Sequence, residues 1–185
     1  MRATKIMLIR HGEKPAMDGS VLGVSLQGEQ SPDELTVRGW QRAGALVTFF
    51  APRQADIRRP GIDVPQHLFA PGQTTQVRSV RAEHTIGPLS ESLGLPISKD
   101  FRKGDEEALA ASIVQEPGVV LVAWEHRAIV SIANALMGSA ERTPQTWPDE
   151  RFDIVWVFER GDGGWTFTQV PQLLLHGDNV GLISS

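Results

Sequence analysis

The stretch Ile6-Met7-Leu8-Ile9-Arg10-His11-Gly12-Glu13 decides how the rest of the chain is read. Four consecutive apolar residues flanked by polar ones are the pattern of a strand buried on both faces of a parallel sheet. The run stops at Arg10, and Gly12 permits the close backbone approaches that a strand-to-loop turn requires. A second run, Val119-Val120-Leu121-Val122-Ala123-Trp124, ends the same way, in Glu125-His126-Arg127. Ligands of open α/β sheets bind outside the carboxyl ends of the strands, so His11 and His126 are expected together at one edge of one sheet.

Outward from these runs, residues 15–34 mix proline, glycine, serine and acids without periodicity and are expected to form a long loop that covers something. Residues 36–50 carry helical spacing, with Thr36 as cap and Pro52 as stop. A turn-rich stretch at 53–61 leads to a second strand over 64–70, closed by Pro71-Gly72. The spacing over 81–93 predicts a helix that Gly87-Pro88 kinks or breaks, with Gly94 just past its end. A short strand is expected at 95–98, a helix at 105–116 and another at 128–137. Residues 154–158 and 165–170, joined through Gly161-Asp162-Gly163-Gly164, read as a hairpin within about 153–171. Strands alternating with helices in this order predict an α/β fold, a three-layer αβα sandwich with a mainly parallel, mixed central sheet, in one domain over 1–185.

Composition limits the chemistry. The chain has 18 basic and 22 acidic residues, a net charge of −4 and an isoelectric point near 5.7, so no nucleic-acid partner is expected and any anion site is local. The absence of cysteine excludes disulfides, thiolate nucleophiles, cysteine-ligated zinc and iron–sulfur clusters. No window approaches the ~18 apolar residues of a membrane span, and the first residues run straight into a strand without a signal-peptide pattern. No membrane partner and a cytoplasmic location are therefore expected. No heptad or repeat speaks to oligomeric state.

Of the five histidines, only His11 and His126 follow a buried run. His67 lies inside a predicted strand and His176 in the tail, and both read as structural. His84, three residues after Arg81 on a helix, shares its face and is a candidate to line the site. An imidazole at His11 can attack phosphorus and hold the phosphoryl group, which splits one difficult displacement into two easier ones. The attacking nitrogen must be unprotonated. Neighbouring cations, Arg10 and Arg81, favour that form and pair with phosphate oxygens through their planar forks. Phosphoryl transfer asks mainly for positioning and charge stabilisation, so neither metal nor cofactor is called for.

The segment Leu8-Ile9-Arg10-His11-Gly12-Glu13 resembles the opening motif of the histidine phosphatase superfamily, which includes the phosphoglycerate mutase-like enzymes. Leu35-Thr36-Val37-Arg38-Gly39-Trp40-Gln41-Arg42-Ala43 is similar to the family's Leu-Thr-x-x-Gly-x-x-Gln-Ala segment, shifted by one residue. Arg81-Ala82-Glu83-His84-Thr85-Ile86 resembles the helix that supplies the second phosphate-binding arginine, and residues 119–126 the strand that delivers the second histidine. The four segments keep the family's order, and the likeness spans most of residues 5–135. It implies His11 as the phosphorylated nucleophile, with Arg10, Arg81 and His126 completing a phosphate pocket.

This sequence departs from the family at two places. Glu125 and Arg127 flank His126 where relatives usually carry a glycine before the histidine and a small or polar residue after it. A Ser-Ser-Pro-like segment is replaced by Ala70-Pro71-Gly72 and an insertion containing Gln76 and Arg78, which makes Arg78 a competitor for the role of Arg81. The general acid has no motif. Asp100, Asp105, Glu106 and Glu107 are candidates that read as surface charge; Glu13 is placed to orient His11 or nearby bases, and Glu125 either acts as an acid or points away.

The expected function is a metal-independent phosphatase working through a phosphohistidine on a small phosphate ester or a phosphoprotein. The loop at 15–34 and the segment at 72–80 are expected to set specificity. A phosphomutase or protein phosphohistidine phosphatase on the same pocket, and a phosphate-binding regulatory protein without efficient catalysis, are the rival readings.

Overall fold

The first apolar run becomes β1 (Ala3–Arg10), buried at every position except Thr4. The structure, a computed structural model, describes residues 2–54, 58–75 and 78–184; parts of the expected turn at 53–61 and of the insertion around Gln76 lie outside the described residues. The second run becomes β4 (Gly118–Trp124), which lies parallel to β1 with Ile6 opposite Val120 and Arg10 opposite Trp124. β2 (His67–Phe69) continues the parallel sheet beyond β4, and β3 (Ile97–Ser98) forms its edge. On the other side β5 (Ile154–Gly161) runs antiparallel to β1 and pairs with β6 (Gly164–Pro171). The sheet order is β3-β2-β4-β1-β5-β6, parallel on one side and antiparallel on the other.

Alternation along the strands divides the core in two. Met7, Ile9, Leu121, Ala123, Val155 and Val157 pack on one face under α1 (Val37–Phe50) and α2 (Arg81–Leu93), chiefly against Leu46, Phe49, Phe50, Ile86 and Leu89. Ile6, Leu8, Val120, Val122, Trp156 and Phe158 face the other way under α3 (Glu106–Ile113) and α4 (His126–Met137), against Leu109, Ile113, Ile129 and Ile132. The three-layer sandwich is the expected one. Each fully buried Leu or Ile here is worth about 2–5 kcal/mol against alanine, so both faces contribute to holding β1.

Local differences have local causes. Thr36 caps α1 as expected, its side chain accepting from Gly39 N at 3.1 Å. β2 is shorter than 64–70 because Pro65 supplies no N–H and Gln66 N bonds to Val119 O outside the regular ladder. β3 starts after Pro96 for the same reason. α2 is one helix and is not broken at Gly87-Pro88: Ile86 and Leu89, both fully buried, anchor it on either side of the proline. α3 ends earlier than residue 116, passing into tighter i→i+3 turns in which Gln115 N and Glu116 N bond to Ser112 O and Ile113 O. The hairpin spans the expected residues, but its strands run to Gly161 and from Gly164, turning through Asp162-Gly163.

α4 starts at His126 rather than at 128. This places the second histidine in the first turn of a helix, directly beyond the carboxyl end of β4. The loop at 15–34 is tied down rather than extended, by bridges from Gly23 to Thr36 and Val24 to Gln30 and by Trp40 Nε1 donating to Val24 O at 2.7 Å. Among the described residues, no helix is long and apolar enough to cross a membrane.

Candidate active site

His11 stands at the end of β1, where its own N–H donates to Trp124 O and Gly12 N donates to Thr85 Oγ1 at 2.7 Å. Thr85 in turn donates to Arg81 O, so the first turn of α2 is stitched to the histidine loop. Gly12 also lies against α1, where a Cβ would sit 3.1 Å from Gly39 O. The His11 ring is held by a 2.7 Å bond between Nδ1 and Gly12 O. A carbonyl only accepts, so Nδ1 carries the proton and Nε2 keeps its lone pair. Burial, with the charges of Arg10, Arg81 and His126, pushes the His11 pKa down to about 3 against the opposing pull of the Gly12 carbonyl. The ring is therefore neutral at physiological pH.

Arg10 is completely buried beside it. One end of its guanidinium donates to the carbonyls of Pro148, Asp149 and Arg151, and the group lies over the Phe152 ring at 3.8 Å from the centroid. Its Nε and Nη2 are buried without a hydrogen-bond partner. Desolvation lowers its pKa to about 10, with Asp149, Glu125 and Glu13 pulling the other way, so it remains a cation. Arg81 donates from Nη1 to Pro32 O at 2.9 Å, while its Nε is likewise buried and unpartnered. Desolvation lowers it too, opposed by Asp33 and Glu34. Unpaired buried donors cost roughly 1–3 kcal/mol each, more when charged, and are what an anion site leaves for its ligand to satisfy.

His11 and Arg81 line one cavity of about 130 Å³, together with Ser79, Lys103, Trp124 and Glu125. Two helices begin at this end of the sheet, α2 at Arg81 and α4 at His126, and neither has a side-chain cap on its first turn. Their free N–H groups and positive dipole ends add to the arginines. His126 is buried, with Nε2 bonded to Asp149 Oδ1 at 2.5 Å and Nδ1 3.0 Å from Glu125 Oε1 but off the hydrogen-bonding direction. Burial and the Arg10 charge hold its pKa below the ordinary value, against the two carboxylates.

Of the residues singled out in the sequence, Arg10, His11, Arg81 and His126 come together. Arg78 does not: it is exposed and lies off the cavity, whereas Arg81 reaches it because it opens α2. His84 does not line the site either. Its ring packs on Trp40 at 5.1 Å and its Nδ1 meets Glu34 Oε2 at 2.6 Å, which turns it away from His11. Glu106 is buried rather than a surface charge, accepting from Trp124 Nε1 at 3.0 Å and from Gly104 N. Asp100 and Asp105 accept from Ser98 Oγ and Arg102 N, and Glu107 is exposed.

Glu13 orients bases rather than His11. It accepts from Arg38 and from Arg42, whose Nη2 lies 2.8 Å from both Glu13 Oε1 and Asp178 Oδ1. Arg42 is almost fully buried and also donates to Gln172 at 2.9 Å. Burial opposes its charge, yet the bonds to Asp178 and Glu13 outweigh it and raise its pKa above the ordinary value. Arg42, Thr85, Lys103 and Asp149 were not found from the sequence. Arg42 lies inside a matched motif segment and carried a signal; Asp149 lies in an irregular stretch and carried none.

No protein-family model matches the sequence, and no curated protein is significantly similar to it. Solved structures are similar in fold. A phosphoserine phosphatase mutant from Entamoeba histolytica, in complex with phosphoserine, superposes with a TM-score of 0.57 at 12% identity over 94% of this chain and 98% of its own. A mycobacterial glucosyl-3-phosphoglycerate phosphatase complexed with VO3 gives 0.54 at 14% identity over 90% and 97%. An Agrobacterium tumefaciens protein designated phosphohistidine phosphatase SixA gives 0.52 at 17% identity over 89% and 96%. With its central β1 between parallel and antiparallel neighbours and helices on both faces, this chain shares the fold of these solved phosphatase structures.

Proposed function

We propose that this protein is a phosphatase of the histidine phosphatase type that acts through a phosphohistidine on His11. The observation that carries the reading is the protonation state built into His11: Nδ1–H is committed to Gly12 O, and the ring that retains a free Nε2 lines the same cavity as Arg81. The phosphoryl group is received there by the unpartnered nitrogens of Arg10 and Arg81 and by the first turns of α2 and α4. Two solved relatives hold oxyanion ligands of matching chemistry, VO3 in one and phosphoserine in the other.

In the first step His11 Nε2 attacks phosphorus, the P–N bond forms and the bond to the leaving oxygen breaks. In the second, water attacks phosphorus and the P–N bond breaks, releasing phosphate and restoring His11. Arg10, Arg81 and His126 stabilise the equatorial oxygens in both steps, and the two arginine cations supply the charge that a metal ion provides in other phosphoryl-transfer sites. The substrate is a small phosphate ester or a phosphoprotein. The 15–34 loop touches this machinery through Pro32 O on Arg81 and carries the exposed Met17, Leu22 and Leu26, so it is placed to contact what lies beyond the phosphoryl group.

The test is covalent labelling. Incubation with a phosphoryl donor, acid-free digestion and mass spectrometry should place one phosphoryl group on the peptide carrying His11, and His11→Ala should abolish both label and turnover. Turnover surviving in His11→Ala would overturn the proposal.

A further inference from the structure

We propose that Glu125 is the acid–base residue of this site, giving a proton to the leaving oxygen and then taking one from the attacking water. The inference rests on the phosphohistidine reading of His11. Among the described residues Glu125 is the one carboxylate that lines the cavity shared by His11 and Arg81. Its Oε2 is buried without a hydrogen-bond partner, while Lys103 Nζ stands 3.5 Å away. It occupies the N-cap position of α4, yet its side chain makes no cap bond, so the helix start does not account for where the carboxyl is spent.

Four other carboxyls near the site are engaged, and Asp33 and Glu150, whose charges act on Arg81 and Arg10, do not line the cavity. Glu13 is held by Arg38 and Arg42, Glu106 by Trp124 and Gly104, Glu34 by His84, and Asp149 by His126 on the nitrogen remote from Glu125. An anionic side chain beside a phosphate site weakens binding unless it is offset or carries a proton. Here Lys103 lies beside one oxygen and offsets the charge, while the buried His126 ring lies beside the other with its Nδ1 3.0 Å away.

The chemistry balances in two steps. As the P–N bond to His11 forms and the P–O bond breaks, the electron pair leaves on the ester oxygen, which takes the Glu125 proton and departs as an alcohol. The Glu125 carboxylate then accepts a proton from water as its oxygen bonds to phosphorus and the P–N bond breaks, which returns the acid form. Such a residue matters in proportion to how poor the leaving group is, so the proposal assigns this site to alkyl phosphate esters rather than to donors whose leaving group departs unaided.

The experiment is a leaving-group series, from alkyl phosphates to activated aryl phosphates, run on the wild type, Glu125→Gln and Glu125→Asp. The wild type should show a shallow dependence of log kcat/KM on leaving-group pKa, and Glu125→Gln a steep one. The glutamine variant should lose about 10²–10³-fold on alkyl esters, with a deficit that shrinks as the leaving group improves. Glu125→Asp, which keeps the proton, should restore an intermediate slope, an effect that a purely structural role does not produce. Parallel lines for wild type and Glu125→Gln, with His11 still labelled, overturn this inference alone. Absence of His11 labelling from every donor removes the phosphatase reading together with it.

Discussion

Keeping His11 neutral makes the fold sensitive to acid in a way that can be measured. Burial and the neighbouring cations push its pKa from 6.5 down to about 3. Between these values the unfolded chain binds a proton that the folded protein does not, so stability rises with pH through this window. The contribution is complete above pH 6.5 and is lost as pH falls toward 3. At 1.36 kcal/mol per unit, lowering the pH from 6.5 to 5 removes about 2 kcal/mol through this one residue, and the whole window is worth about 5 kcal/mol.

His11→Asn isolates the effect, because its amide can still donate to Gly12 O but cannot titrate. Urea unfolding at pH 7.5 and pH 5 should show the wild type losing about 2 kcal/mol more than the variant. His126, whose pKa is also lowered, weakens the fold in the same window but is common to both proteins and cancels in the difference, while Asp63, Asp149 and Asp178, lowered from 3.8, act only in stronger acid. Equal losses in the two proteins would refute the reasoning, as would an NMR titration in which the His11 ring takes up a proton near pH 6.5.

Two further outcomes follow from the same geometry. Arg81→Ala should lower kcat/KM by at least about 10²-fold, Arg81→Lys should recover little of it because the fork is lost, and Arg78→Ala should stay within about twofold; steady-state kinetics on one substrate decides between the two arginines. Arg42→Met leaves Glu13 and Asp178 facing each other without their cation and should reduce the free energy of unfolding by about 3–5 kcal/mol in urea. A loss under about 1 kcal/mol would mean that water replaces the guanidinium freely.

The layers, the two buried runs and the histidines that follow them were legible because each is a local pattern, whereas Arg81 came from the family resemblance with Arg78 as its competitor. Apolar continuity over 6–9 and 119–124 identifies central strands, and the polar residues that follow mark their carboxyl ends. What the sequence did not reveal depends on contacts between distant segments. Glu13 was open to His11 or to nearby bases by its place in the sequence, and only the fold shows which base it is: Arg42, brought alongside by α1, presents a guanidinium to it. His84 shares a helix with Arg81, yet Trp40 and Glu34 draw it to another side. Asp178 closes the Arg42 network from a tail with no periodicity at all.

The place of β1 in the sheet also governs how the protein is made. Its ladder partners are residues 118–124 on one side and 155–159 on the other, so the strand that leads into His11 leaves the ribosome long before either neighbour exists. Closing loops of that length comes late and slowly in a folding reaction. Until β4 emerges, Ile6-Met7-Leu8-Ile9 is an uncovered apolar segment of high strand propensity, the kind that seeks out other chains. The arrangement that holds the nucleophile most rigidly in the finished molecule is therefore the one that leaves it longest without protection, and the nascent chain is the state in which a chaperone would have the most to bind.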